Sequence, residues 1–140
     1  MKTISTMLFM VLIITSSCEK TEFKHDLIGD WNLYATSVGI YQQFMPYDSF
    51  YMSIQRGNDY QFNSNETIIE KGSFKIFRNE NESFKTLGEF SIEFSSKHRL
   101  GTGADPITRE PMIIENIAND TICLDDGTFE GFMFWFKRKK

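Results

Sequence analysis

Two cysteines, two histidines and three prolines are all this 140-residue chain has of those types. The shortage of cysteine excludes a disulfide-stapled scaffold and a Cys-x-x-Cys zinc site, and His25 and His98 have no metal-ligand spacing, so no metal is expected. A basic excess is also missing: 15 basic against 19 acidic residues leave a net charge of -4, which provides no electrostatic footprint for nucleic acid. The longest apolar run, Met7 to Ile14, falls well short of the roughly 20 residues that cross a bilayer as a helix. Motifs of catalysis are absent as well. Gly101-x-Gly103 lacks the third glycine and following helix of a phosphate cradle, Asp125-Asp126-Gly127 lacks the closing Glu of a calcium loop, and no Ser, His and Asp set stands out. The expectation is a single non-enzymatic domain without a cofactor.

Aromatic residues are what the chain has in abundance: fourteen Phe, five Tyr and two Trp. They fall on an alternating pattern, the period of a half-buried strand, and no segment carries a helical stripe. Trp31, Leu33 and Ala35 mark a first strand; Phe50, Met52 and Ile54 a second; Tyr60 and Phe62 a third. Thr67 to Phe77 is a fourth, with Gly72 at a possible bulge position, and Phe90, Ile92 and Phe94 define a fifth. Met112 to Ile117, Thr121 to Leu124, and Phe132, Phe134 and Phe136 complete the set. Eight strands with short sequential links predict an all-β fold, an eight-stranded antiparallel up-and-down barrel, with a two-sheet sandwich as the alternative. Cys123 reads as a small strand residue, and Glu89, Glu93 and Glu115 take alternating positions that suit an outer, wet face.

The N-terminus reads as an address. Lys2, the run Met7 to Ile14 and the small residues Thr15-Ser16-Ser17 have the order of a secretion signal. Thr15-Ser16-Ser17-Cys18 resembles the lipobox of bacterial lipoproteins, with Thr15 where Leu is usual. The resemblance implies residues 1-17 as a signal peptide, Cys18 as the lipid-bearing first residue of the mature chain, 18-26 as a lipidated tether and 27-140 as the barrel domain. It also implies a membrane partner through the anchor and a place in the bacterial cell envelope, on the outer membrane. Loss of Lys2 with the signal makes the net charge -5, and Cys123 is then left with no disulfide partner in the chain.

Leu27-Ile28-Gly29-Asp30-Trp31 opens the first strand with a Gly-x-Trp, and the chain ends Phe134-Trp135-Phe136-Lys137-Arg138 before two lysines. Together with Ile114 to Gly127 these segments resemble the lipocalin-like domains of small Bacteroidetes-type envelope lipoproteins. In that pattern the Trp closes the barrel floor and an Arg of the last strand packs over it, so Gly29, Trp31 and Arg138 are the expected floor residues. Strand parity agrees, since Arg138 shares the face of Phe132, Phe134 and Phe136. Two long links, Gly39 to Asp48 and Ser96 to Pro111, fall on the opposite rim. Tyr41, Phe44, Met45 and Tyr47 in the first, and Arg99 and Arg109 in the second, are candidates to bind a small apolar or amphipathic ligand. The dense run of Phe in the last strand fits a filled lumen as well, which would make the chain an interaction module for another envelope protein. Asp120-Thr121-Ile122 resembles the short glycosylation motif of exported Bacteroidetes proteins, at Thr121.

Overall fold

The computed structural model describes residues 22–38, 41–44, 50–99, 105–108, 110–118, 120–128 and 131–140. Among these, nine strands follow one another: β1 (Gly29–Val38), β2 (Tyr41–Phe44), β3 (Phe50–Ile54), β4 (Asp59–Ser64), β5 (Thr67–Arg78), β6 (Phe90–Arg99), β7 (Met112–Ala118), β8 (Thr121–Asp125) and β9 (Phe132–Arg138). Residues 22–27 form a helical segment, α1, and two single helical turns are α2 (Glu82–Lys85) and α3 (Asp105–Thr108). Strands β3 to β9 form an antiparallel meander, and β9 pairs back onto β1 from Trp31↔Arg138 to Val38↔Phe132. The sheet is thereby closed into an eight-stranded barrel of β1 and β3 to β9.

Each strand predicted from alternation is present, and the alternation is what fills the inside. Trp31, Leu33, Met52, Ile54, Phe62, Phe74, Ile76, Ile92, Phe94, Ile122, Leu124 and Phe136 belong to one buried cluster. Rings of Phe50, Tyr60, Phe62 and Phe94 lie 4.8 to 5.7 Å apart, mostly edge to face, a geometry that adds to burial through their quadrupoles. The irregularity expected at Gly72 is a register shift between Lys71 and Gly72. A Cβ at Gly72 would fall onto the Ser95 carbonyl, so only glycine lets β5 and β6 approach there.

Four readings of the sequence need correction. The link from Gly39 to Asp48 is not all loop, because Tyr41–Phe44 forms the ninth strand and pairs with Ala35–Val38. β3 reaches only Gly29–Asn32 of β1, so the hairpin strand satisfies backbone groups that the same edge would otherwise leave unpaired. Second, β6 continues to Arg99 instead of ending at Phe94; Ser95 to Arg99 lack apolar alternation, but β5 is long enough to pair with them. Third, a helical segment that no periodicity in the sequence announced spans residues 22–27 and leads into β1. Fourth, the link before β7 contains α3, whose Ile107 joins the core.

Candidate functional site

The start of β1 and the end of β9 form one end of the barrel. Here the Arg138 guanidinium lies over the Trp31 ring, 4.2 Å from its centroid. Its two terminal nitrogens donate to the carbonyls of Ile28 (2.9 Å) and Asp26 (2.6 Å), while Nε stands 3.5 Å from the Asp120 carboxylate. The Trp31 indole N–H donates to the Leu27 carbonyl at 2.8 Å. Gly29 explains itself in this setting. Its φ is +142°, a region L side chains rarely adopt, and a Cβ would strike the Arg138 guanidinium. The three residues expected at the floor are therefore brought together, with α1 laid across them and Phe23 stacked on Phe90 at 4.4 Å.

Towards the opposite rim, the barrel interior turns polar. Glu70 on β5 has no solvent exposure, accepts a hydrogen bond from the Tyr60 hydroxyl at 2.6 Å, and pairs through its other oxygen with Arg99 Nε at 3.1 Å. The Thr108 hydroxyl of α3 donates to that same oxygen at 3.2 Å, and an Arg99 nitrogen reaches the Thr108 hydroxyl at 3.3 Å. Burial and the neighbouring Glu70 push the Tyr60 hydroxyl far above its usual pKa, so it stays protonated and donates. The cluster pins α3, and with it Ile107, onto the rim.

Of the rim candidates, Arg99 is thus engaged at the end of β6 and is not in a connecting loop. Its side chain remains 43% exposed. Tyr41 and Phe44 are backbone-paired in β2. Met45, Tyr47 and Arg109 lie outside the described residues, as does Cys18. Glu70 was not singled out from the sequence, although a signal was there: it has the parity of Gly72, Phe74 and Ile76 and so points inward.

On the outer wall, Cys123 is buried and free, and burial pushes its thiol pKa well up, with Glu115 and Asp125 adding to the rise. Glu115 is less wet than its alternation suggests; burial and then Asp125, by hydrogen bond and charge, raise its carboxyl pKa. Glu93 and Glu89 do sit at the surface, paired with Lys75 (2.6 Å) and Arg78 (3.0 Å). Among the described residues no helix is long and apolar enough to cross a membrane.

No protein-family model matches the chain, and no curated protein matches it. Among solved structures, the chain is similar to an uncharacterized protein from Bacteroides eggerthii DSM 20697, with 13% identity over 80% of this chain and 98% of that one and a TM-score of 0.49. An overlap of that size carries no argument about function.

Proposed function

We propose that this chain is a lipid-anchored protein of the bacterial cell envelope, attached through Cys18, whose lipocalin-like barrel is a non-enzymatic interaction module that works through its outside. The observation that carries this reading is the burial of the inward-facing side chains, which supports a filled interior. Trp31, Tyr60, Phe62, Phe136, Met52, Ile54, Ile92, Met112, Ile122 and Leu124 are each less than 2% exposed or close to it. Leu27 covers them from one end and Ile107 from the other, both part of the same cluster. A carrier of a small apolar ligand needs a cavity of roughly 300 Å3 or more, and the walls of such a cavity would be accessible to a water-sized sphere.

Native mass spectrometry of the domain from Glu19 onward, purified from a bacterial envelope, tests the reading. The expected mass is that of the polypeptide alone. A stoichiometric small molecule, lost on denaturation, would overturn it in favour of the luminal carrier. One feature favours a narrower second reading, an amphipathic ligand held at the mouth: the half-exposed Arg99 guanidinium sits beside the buried Glu70 carboxylate, where a polar head would find a charged group above an apolar interior. Anchoring has its own test. Cys18→Ala should leave the detergent phase in a partitioning experiment, and unchanged partitioning would overturn the lipid attachment.

A further inference from the structure

The docking of α1 sets how far the barrel can move from its anchor. Nine Cα steps separate Cys18 from Leu27, and a freely extended chain of that length would reach about 30 Å. The barrel itself, with strands of about eight residues tilted by about 40°, is only about 20 Å tall. On such a leash it would be able to present any face to the bilayer. The structure shortens the leash. From residue 22 the chain is helical, and four contacts hold it to the floor: Phe23 stacked on Phe90, Leu27 buried in the core, the Trp31 indole on the Leu27 carbonyl, and the Arg138 guanidinium on the carbonyls of Asp26 and Ile28. Only four Cα steps remain between Cys18 and Glu22, a reach of about 14 Å and less than the height of the barrel.

On the reading that Cys18 carries the lipid, we propose that this short leash makes the barrel stand on the membrane on its Trp31 end, so that the opposite rim is the partner-facing surface. The partner of the floor is the phospholipid bilayer itself. Charges of both signs lie at this end, with Asp26, Asp30 and Asp120 beside Lys24, Lys139 and Lys140, so the orientation comes from the leash and needs no anionic lipid. The rim that then faces away carries β2, the turn at residues 65 and 66, and Arg99 with Thr108 and Glu70 beneath it.

The test uses the acylated mature protein in phosphatidylcholine vesicles containing a headgroup spin-labelled lipid as quencher. A fluorophore is placed on Lys140→Cys at the floor or on Thr67→Cys at the rim, both exposed positions; Cys123 is buried, and labelled wild type serves as control. The floor probe should be quenched at least threefold more strongly than the rim probe. Equal quenching, or stronger quenching at Thr67, would overturn the orientation. Sixteen Gly and Ser residues inserted after Lys20 give a coil about 22 Å across and should bring the ratio close to one. A ratio that survives the insertion would overturn the short leash as its cause. Vesicle flotation of Cys18→Ala separates the two levels: if that variant floats as wild type does, the anchor reading itself fails, whereas an anchored wild type without the quenching difference refutes only the orientation.

Discussion

Replacing Arg138 with Gln removes a cation and a two-pronged donor from the floor in one step. The guanidinium over the buried indole at 4.2 Å contributes about 1 kcal/mol or somewhat more. The bonds to the Ile28 and Asp26 carbonyls are charge-assisted, and each contributes about 1.5 kcal/mol when sheltered. The Arg138 side chain is 33% exposed, so water recovers part of this when it is removed. The expected loss for Arg138→Gln is therefore about 2 to 3 kcal/mol, or about 10 °C in Tm for a domain of this size. Arg138→Lys keeps the charge but cannot span both carbonyls, and about half of the loss should remain. Trp31→Phe is costly in itself, about 2 to 3 kcal/mol, because a fully buried side chain shrinks and the bond to the Leu27 carbonyl is lost. The double variant should be about 1 kcal/mol more stable than the two single losses predict, since a phenyl ring holds a cation less well than an indole. Urea unfolding followed by far-ultraviolet circular dichroism measures the four variants against wild type. Additivity within about 0.3 kcal/mol, or a loss below about 0.5 kcal/mol for Arg138→Gln, would refute the floor contact as a stabilising element.

At the rim, Glu70→Ala should cost about 2 to 3 kcal/mol by chemical denaturation, because it strips a buried Tyr60 hydroxyl of its acceptor and Arg99 of its carboxylate, while Glu70→Gln keeps an acceptor for Tyr60 and should cost less. Ile107→Ala should lower stability by about 2 to 4 kcal/mol, an effect a solvated connecting loop would not produce. The pH dependence has a definite sign. Glu115 holds its proton to higher pH in the folded state than in the unfolded one, so this contribution is full below about 4.5, the ordinary carboxyl value, and is lost as pH rises through the folded value. Glu115→Gln should therefore raise Tm relative to wild type at pH 7 but not at pH 4, and an equal difference at both would argue against the protonation link.

Eight of the nine strands, their order and most of their inward faces were legible because alternation is a local property: Phe62, Phe74, Ile92 and Phe136 announce an inner face wherever they lie, whereas Phe132 has the same parity and is exposed at the rim. The pairing of Trp31 with Arg138 was legible for a related reason. In a meander with an even number of strands, the start of the first strand and the end of the last lie at the same end of the barrel, and the resemblance implied that an Arg there packs over the Trp. What only the tertiary structure decided is whatever depends on an element's partner. Ser95 to Arg99 extend as strand because β5 lies beside them, and Tyr41–Phe44 pairs because β3 leaves that part of β1 uncovered. Phe23 looks like a stray apolar residue in a polar tether until the floor gives it Phe90 to pack on. Glu70 carries an inward parity in the sequence, but a buried carboxylate is tolerable only if its partners arrive, and Tyr60, Arg99 and Thr108 come from three other elements. Whether the interior is filled or hollow was beyond the sequence for the same reason. The same inward Phe residues line a cavity or close it, and the choice rests on how eight strands stagger and on what Leu27 and Ile107 plug from either end.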